Sequence, residues 1–316
     1  MSFQAMKRFA TSALTRLGPS NGFVRFLIDW KCRKFGAKRT SRGSFLSLRR
    51  GNREMRRAPK YFVYAPDMAE RFDIYFSPLV PTEIDGVSVL DFSKPGILQT
   101  YRSSGIQFKL SSFPEEDEAI ESYFHWYAAQ PGETIFDVGA HCGVSTYYFF
   151  KLVGPTGRVI AFEPDPVNYS LLVDNIERHK LTNLVPLQIA ISDMPGDAEF
   201  SSEGTIGSKL MQHATRTSVG TVVVVKAITL VDAFEQWGPP SFCKIDIEGA
   251  EISVISASRD LLRRVSCQFA LDTNHLVGGG FTDRAVENLF RECGYESASS
   301  ISGMKTTWAR PATDQA

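Results

Sequence analysis

The stretch that decides the fold is Thr134-Ile135-Phe136-Asp137-Val138-Gly139-Ala140-His141-Cys142-Gly143. An apolar run of strand length ends in an acid and then breaks into the pattern D-x-G-x-x-x-G. The mostly apolar run from Tyr147 to Phe150 follows soon after. This order is typical of the first strand, turn and helix of a Rossmann-like nucleotide site. It predicts an α/β protein with a doubly wound sheet and a ligand at the turn.

The turn favours one class of ligand. A dinucleotide site would show G-x-G-x-x-G, and counted from Gly139 its second glycine falls on His141 and its third on Val144. Pyrophosphate binding is therefore disfavoured. S-adenosylmethionine suits the turn, because its carboxylate can face the amides at the helix N-terminus and Asp137 can bind its ammonium group. The alternative is that Asp137 caps the helix and that Gly139 and Gly143 only form the turn.

A second carboxylate supports the same ligand. Arg158 to Phe162 has the composition of a buried strand, and it ends at Glu163, 20 residues after Gly143. A carboxylate in this place can accept hydrogen bonds from both ribose hydroxyls. Pro164 cannot continue a strand ladder, so the strand stops where the ligand would lie. The alternative for Glu163 is a solvated acid in a loop.

The charge of the chain is unevenly distributed. Its 316 residues are 43% hydrophobic and carry no net charge, yet residues 1–60 hold 16 Lys or Arg against two acids, a net charge of +14. Within this basic extension, apolar residues recur at helical spacing from Phe3 to Leu17, and Arg39 to Arg57 is predicted to be a flexible link. A basic amphipathic helix suits an anionic membrane surface, a nucleic acid or a transit peptide. The helix is equally suited to pack on the rest of its own chain, which carries the compensating negative charge.

The cysteines and the hydropathy indicate the compartment. Five cysteines are odd in number and scattered, with no C-x-x-C pair, which favours a reducing compartment and disfavours a zinc ribbon. No apolar run reaches the roughly 18 residues that a membrane-spanning helix needs. We therefore expect a cytoplasmic protein, peripheral at the membrane if the basic extension binds lipid.

Three regions are predicted along the chain: the extension 1–60, a small β/α cap region 61–130, and a catalytic domain 131–316. From Tyr61 to Leu110 short apolar runs alternate with turn signals, which predicts strands or hairpins. After Glu133, strands and helices alternate, as in a parallel sheet with helices on both faces. The two last strands, near 295–299 and 305–309, have no helix between them. They predict a seven-stranded sheet with an antiparallel terminal strand.

Four motifs together resemble the FkbM family of methyltransferases. They lie at residues 136–143, 160–166 and 190–193, and in the string K-I-D-I-E-G-A-E at 244–251. The resemblance covers about residues 115–316. It implies a class I fold, S-adenosylmethionine as methyl donor, and O-methylation of a hydroxyl on a sugar, glycolipid or polyketide. By match to the family motifs, it implies cofactor contacts on the turn and the second strand, at Asp137, Gly139, Gly143 and Glu163, with Ala190 or Ser192 near the adenine. His141 departs from the family's turn, where small or amide residues are common, and it either contacts the methionine part of the cofactor or fills space.

Polar residues at the ends of the fourth and fifth strands are the candidates for catalysis. Asp246 follows the fourth strand, while Asp272, Asn274 and His275 follow the fifth, and a doubly wound sheet brings these ends together. We predict His275 or Asp246 as the base, with Asp272 orienting the acceptor. The alternative is that Asp246, Asp272 and Asn274 hold Mg²⁺. Glu251 is predicted to be a helix N-terminal acid that offsets the helix dipole.

Two other functions compete with O-methylation. The basic extension is compatible with an RNA methyltransferase, although the chain has neither an N-P-P-Y motif nor a Pro-Cys nucleophile. The third reading is a non-catalytic S-adenosylmethionine-fold module that binds a membrane or a partner. The motifs favour a small or glycan-like hydroxyl acceptor over nucleic acid, but they do not identify it.

Overall fold

The computed structural model describes residues 21–113, 117–205, 207–213, 220–300 and 305–312. The chain forms two compact units, one of residues 1–116 and 215–219 and the other of residues 117–214 and 220–316. The helical periodicity between Phe3 and Leu17 lies outside the described residues. None of the described helices is long and apolar enough to cross a bilayer.

The first unit begins with a helix and a basic sheet. The helix Gly22–Lys34 starts at Asn21, whose Oδ1 accepts hydrogen bonds from the amides of Phe23 and Val24. Three antiparallel strands come next: Lys38–Arg42, Phe45–Arg50 and Arg53–Arg57. The flexible link predicted from Arg39 to Arg57 is therefore wrong. Buried apolar side chains on these strands offset the entropy cost of ordering them, namely Leu46, Leu48 and Met55.

The rest of the first unit mixes helices and strands. Where strands were predicted from Tyr61 onwards, the chain instead forms three short helices, Pro59–Tyr64, Ala65–Glu70 and Phe72–Phe76. Proline lies in the first turn of the first two helices, where its missing amide costs nothing. The predicted strands follow, at Leu79–Val80, Thr82–Ile84, Val87–Phe92, Ile97–Tyr101 and Gln107–Leu110. Val87–Phe92 pairs with Arg53–Arg57, so one sheet joins the basic segment to the residues after position 61.

The second unit is built on a seven-stranded sheet. Its strands are β1 (Thr134–Val138), β2 (Arg158–Phe162), β3 (Leu184–Leu187), β4 (Phe242–Ile245), β5 (Gln268–Asp272), β6 (Tyr295–Ser299) and β7 (Thr306–Pro311). Their order across the sheet is 3-2-1-4-5-7-6, and β7 runs antiparallel to both of its neighbours. The predicted seven-stranded, doubly wound sheet with an antiparallel terminal strand is confirmed. This order is that of class I methyltransferases.

The strand order reverses beside β1. From β1 the chain builds outwards to β2 and β3 on one side and returns to add β4 and β5 on the other. Ligands of open α/β sheets bind at such a switch point, outside the carboxyl ends of the strands. Five helices connect the strands of this unit: α1 (Val144–Val153), α2 (Pro166–His179), α3 (Leu230–Trp237), α4 (Glu251–Ala257) and α5 (Asp283–Glu292). Two further short helices are Asp117–Tyr123, before the sheet, and Arg259–Leu262, after α4.

The apolar segment from Leu184 to Ile191 is divided into two strands. The first half is β3, an edge strand in which Pro186 is tolerated because its missing amide breaks no central ladder. The second half, Ile189–Ile191, leaves that sheet and pairs with Thr221–Ile228. Thr221–Ile228 also pairs with Gly196–Ser202, which continues to Lys209–Leu210 and so completes a four-stranded sheet. We call Gly196–Ser202, Lys209–Leu210 and Thr221–Ile228 the inserted strands. A two-stranded ribbon, Leu276–Val277 with Gly280–Phe281, follows β5.

Candidate active site

The turn after β1 needs glycine at two positions. Gly139 and Gly143 have φ angles of 78° and 86°, in the left-handed region. A Cβ atom on Gly139 would lie 1.9 Å from the backbone oxygen of Asp246, and one on Gly143 would lie 2.6 Å from Cδ1 of Leu172. The Asp246 amide also donates to the backbone oxygen of Val138. The turn therefore lies directly against the residue that follows β4.

The third special position of the turn is His141. Its φ of 50° is also left-handed, which is uncommon for a residue other than glycine. This conformation accompanies a hydrogen bond from its backbone amide to Oε2 of Glu163, at 2.8 Å. The site thus uses the backbone of His141 to hold the carboxylate after β2. Its Nε2 lies 3.6 Å from the sulfur of Cys142.

Glu163 lies where a ribose-binding carboxylate is expected. It follows β2, is buried, and accepts a second hydrogen bond on Oε1 from the amide of Asp165 at 2.9 Å. Burial, together with the nearby charge of Asp165, raises the pKa of Glu163 to about 8. Each oxygen has a further lone pair for a ligand hydroxyl. The two backbone amides fix the carboxyl group without using its full capacity as an acceptor.

Asp137 is fully buried at the end of β1. Its Oδ2 accepts hydrogen bonds from the hydroxyls of Ser145 and Thr146 in the first turn of α1, at 2.8 and 2.5 Å. Its Oδ1 lies 3.5 Å from Nζ of Lys244. In the structure, Asp137 therefore joins β1, α1 and β4. Its contact with a ligand ammonium group stays a prediction.

Lys244 is a site residue that the sequence interpretation missed. It lies on β4, is fully buried, and donates from Nζ to the backbone oxygen of Gly139 at 2.8 Å. The same nitrogen lies 3.9 Å from Oδ2 of Asp246 and 5.5 Å from the centre of the Tyr123 ring. A lysine within the apolar run Phe-Cys-Lys-Ile was the available signal, because a lysine in a buried strand needs an anionic or polar partner.

No side chain caps the amino end of α1. Gly143 is the N-cap and provides no side-chain acceptor for the first amides of the helix. S-adenosylmethionine fits this set of groups: its carboxylate suits the open helix N-terminus and its ribose suits Glu163. A side chain on Gly139 would collide with the backbone of Asp246 and displace this turn. The donor set therefore fits the predicted cofactor.

Ala190 and Ser192 lie at the end of the strand that follows β3. Both are buried. The Ser192 amide donates to the Ile228 oxygen, and its hydroxyl donates to Asp193 at 3.1 Å. The predicted contact of these residues with adenine stays a prediction.

The predicted catalytic residues come together beyond β4 and β5. Nε2 of His275 lies 3.8 Å from Oδ1 of Asp246 and 3.5 Å from Oε1 of Glu248. Its other nitrogen, Nδ1, lies 2.9 Å from Oε1 of Glu251. Glu251 is fully buried and also accepts a hydrogen bond from the Gly249 amide. Beyond its place in the first turn of α4, Glu251 therefore holds His275, a role that the sequence interpretation missed.

Two carboxylates set the protonation of His275. Burial alone would lower its pKa, but the charges of Glu248 and Glu251 outweigh burial and raise the pKa of His275 well above its ordinary value of 6.5. For Glu248 burial acts in the other direction and would raise the pKa, but the positive charges of His275 and Lys209 lower it to about 2. The cluster therefore carries a positive imidazolium among anionic partners at neutral pH.

Asp272 ends β5 and lies near the same cluster. Burial, with a contribution from the charge of Asp246, raises the pKa of Asp272 to about 7. Its Oδ1 accepts a hydrogen bond from the Asn274 amide at 2.8 Å, which forms the turn after the strand. The predicted Mg²⁺ set of Asp246, Asp272 and Asn274 differs from the set that the structure brings together. Among the described histidines, cysteines and acids, a group of three with ligand atoms within 4.8 Å of one another is formed by Asp246, Glu248 and His275.

Asp165 connects the inserted strands to the site. It caps α2 by accepting hydrogen bonds from two backbone amides on Oδ1. Its Oδ2 accepts three more, from the Ser202 hydroxyl, the Gly204 amide and the Ser208 hydroxyl. Next along the chain, Lys209 forms a 2.8 Å ion pair with Glu248. The inserted segment is thus fixed to both the cofactor side and the catalytic side of the site.

Comparisons with known proteins agree with this geometry. The model of the methyltransferase FkbM domain matches residues 137–297, just over half of the chain. The hexuronic acid methyltransferase AglP of Haloferax volcanii is 26% identical over 138 residues, which are 44% of this chain and 55% of that protein. The 31-O-demethyl-FK506 methyltransferase FkbM of Streptomyces tacrolimicus is 40% identical over 72 residues, 23% of this chain and 27% of that protein.

A solved structure is also similar. The crystal structure of methyltransferase FkbM from Methylobacillus flagellatus KT is 14% identical, with a TM-score of 0.43 over 80% of this chain and 55% of that chain. The matched segments span about half and about a quarter of the two relatives above. The resemblance drawn from the four motifs is confirmed by the family model: the chain belongs to the FkbM methyltransferase domain family.

Proposed function

We propose that this protein transfers the methyl group of S-adenosylmethionine to a hydroxyl of a sugar, glycolipid or polyketide-like acceptor. One observation carries the proposal: the Gly139 turn lies directly against Asp246, so closely that a Cβ atom at Gly139 would come within 1.9 Å of the Asp246 oxygen. The cofactor-binding turn and the acid–histidine cluster therefore share one edge of the sheet. Membership of the FkbM family supports the same reaction.

The cofactor would be held by groups of two strands. The open N-terminus of α1 would bind its carboxylate, and Glu163 would accept hydrogen bonds from its ribose. When bound, its sulfonium group supplies an electrophilic methyl group. The remaining task of the protein is to align the acceptor oxygen and to remove its proton.

We assign the acceptor proton to His275. Nε2 would accept the hydroxyl proton in those molecules whose imidazole is neutral, while the cofactor would supply the methyl group and keep the electron pair of the broken sulfur–carbon bond. Glu251 holds the opposite nitrogen and fixes the ring. Asp246, 3.8 Å from Nε2, stabilises the imidazolium that forms and is the alternative base. Asp272 is proposed to orient the acceptor.

The relatives support an oxygen acceptor. One is named for a hexuronic acid, and the name of the other places the methyl group on the oxygen at position 31 of FK506. A base is needed for a hydroxyl, because a sugar hydroxyl is a poor nucleophile at neutral pH. The neutral form of His275, whose share increases on the alkaline side of neutrality, would meet that need.

The test is a methyl-transfer screen with labelled donor over cell glycolipids, polysaccharides and RNA. The wild-type protein is expected to label an oxygen of a glycan-like or lipid-linked acceptor. His275→Asn should lower the rate by about a hundredfold or more, while binding of the cofactor persists. His125→Asn is the matched control, since His125 is exposed beside Trp308, and it should leave transfer unchanged.

Other outcomes separate the rival functions. Label on an RNA base would contradict the O-methylation proposal and support an RNA methyltransferase. An absence of S-adenosylmethionine binding would exclude both enzymes and leave a non-catalytic module. Full activity in both His275→Asn and Asp246→Asn would refute the assignment of the base.

A further inference from the structure

The first helix of the described chain presents an aromatic stripe to solvent. Phe23, Phe26 and Trp30 are 64%, 63% and 56% exposed. Their spacing of three and then four residues places the three rings on one face of the helix Gly22–Lys34. Three large aromatic side chains in one row form an apolar patch of the kind that soluble surfaces seldom leave uncovered.

The orientation of this helix is fixed by its other face. Val24, Ile28 and Cys32 are buried, at the spacing of one residue per turn on the opposite side. The helix is thus packed on its own unit by one apolar face while it presents a second, aromatic face outwards. The three rings are therefore exposed while the opposite face of the same helix is packed against its unit.

Positive charges border the stripe. Arg33 and Lys34 are both exposed, and helix geometry places them on either side of the aromatic row. Asp29 is the only acidic residue of this helix, and it is paired with Arg39 at 2.7 Å. Neither Arg33 nor Lys34 forms an ion pair with a described residue, so positive charge borders the stripe.

We propose that this face of the helix docks on an anionic lipid surface, with the three rings in the head-group region and the basic residues against lipid phosphates. Aromatic rings flanked by Lys and Arg are the composition of interfacial helices. A second copy of this chain is a poorer occupant, because it would bring the same positive charges together. Nucleic acid would satisfy the charges, but a duplex offers no apolar medium for the rings. This inference does not depend on the proposed methyl transfer.

The test measures binding of the full chain to vesicles of phosphatidylcholine alone or with phosphatidylserine. The wild-type protein is expected to bind the anionic vesicles and to lose binding as salt is added. A triple substitution to serine of Phe23, Phe26 and Trp30 should weaken binding more than tenfold. Its matched control is a triple serine variant at equally exposed apolar positions of the other unit, Met194, Val222 and Val224, which are 67%, 53% and 68% exposed.

Charge has its own pair of variants. Arg33→Glu with Lys34→Glu should weaken binding more than tenfold, since each charge contributes about fivefold. Arg158→Glu with Arg178→Glu, two exposed basic residues of the other unit, is the control and should have little effect. Vesicle binding that is equal in the wild type and the triple aromatic variant would overturn the proposal. The proposal would also be overturned if the triple aromatic variant lost binding to RNA but kept its binding to vesicles.

Fluorescence provides a readout that does not depend on a multiple variant. Brominated lipids quench tryptophans that enter the bilayer surface, so quenching of the wild-type protein is expected. It should disappear in Trp30→Phe and persist in Trp126→Phe, a tryptophan of the other unit. Quenching that is unchanged in Trp30→Phe, or absent from the wild-type protein, would contradict docking through this face.

Discussion

Lys244 donates from Nζ to the backbone oxygen of Gly139 at 2.8 Å, so a buried cation on β4 holds the turn after β1. The same nitrogen lies 3.5 Å from Oδ1 of Asp137. One lysine thereby compensates a buried carboxylate and fixes the backbone of the turn that is proposed to bind the cofactor. This contact couples the turn to β4, which leads to the proposed catalytic residue Asp246.

Removing Lys244 should destabilise the protein strongly. Lys244→Met leaves Asp137 buried without its cation, and breaking a buried pair in this way costs about 3–5 kcal/mol of unfolding free energy. Urea denaturation measures the loss. Adding Asp137→Asn should recover part of it, since the unpaired charge is then gone. Lys226→Met is the control, because Lys226 is exposed and its pair with Asp197 contributes about 1 kcal/mol at most. An equal effect of the two lysine variants would contradict this account.

Gly139 should tolerate no side chain. Gly139→Ala adds backbone strain and places a Cβ 1.9 Å from the Asp246 oxygen, so the turn and β4 must separate. We expect loss of S-adenosylmethionine binding in calorimetry, together with a lower midpoint in urea. Gly86→Ala isolates the strain, because Gly86 has a similar φ of 73° but nothing within 4 Å of the added atom. It should cost only about 1 kcal/mol. Normal cofactor binding by Gly139→Ala would refute the tight approach.

The pH dependence of transfer should follow His275. A base must be neutral, and the pKa of His275 is raised well above 6.5 by Glu248 and Glu251 against the effect of burial. Therefore kcat/KM is expected to increase with pH on the alkaline side of neutrality. Glu251→Gln removes one negative charge, which lowers the pKa of His275 and should shift the rising limb to lower pH. If kcat/KM rises over the same pH range in Glu251→Gln as in the wild-type protein, that result would argue against His275 as the base.

Much of this site follows from the sequence, and the missed parts have a common physical cause. The turn glycines, Glu163 and the strand order are encoded locally, because glycine and strand-end acids leave short patterns. The pairing of His275 with Glu251 is not encoded locally, because each residue alone resembles an ordinary polar residue near a helix. Only the packing of the loop after β5 against α4 brings them to 2.9 Å.

The strands between Lys38 and Arg57 show the same limit. Their apolar residues Leu46, Leu48 and Met55 are too few for a clear period of two among the arginines. Pairing with neighbouring strands, including Val87–Phe92, supplies the stabilisation that the local pattern does not reveal.

Glu163 should make stability pH-dependent. Its pKa is raised by burial from 4.5 to about 8, so between these values the folded protein retains a proton that the unfolded chain has released. The free energy of unfolding should therefore fall as pH rises through this window, by at most about 1.4 kcal/mol per pH unit from this one group. Glu163→Gln should remove that part of the slope, as seen in urea melts from pH 5 to 8. Glu199→Gln, at an exposed position of the inserted strands, should leave the slope unchanged.

Calorimetric titration of S-adenosylmethionine into the wild-type protein and Glu163→Gln tests the central claim most directly. Saturable binding of one molecule per chain is expected, weakened roughly tenfold in Glu163→Gln, because the side chain then has one acceptor oxygen in place of two and loses a hydrogen bond from the ribose. No binding by the wild-type protein, or equal affinity of the two proteins, would contradict that claim.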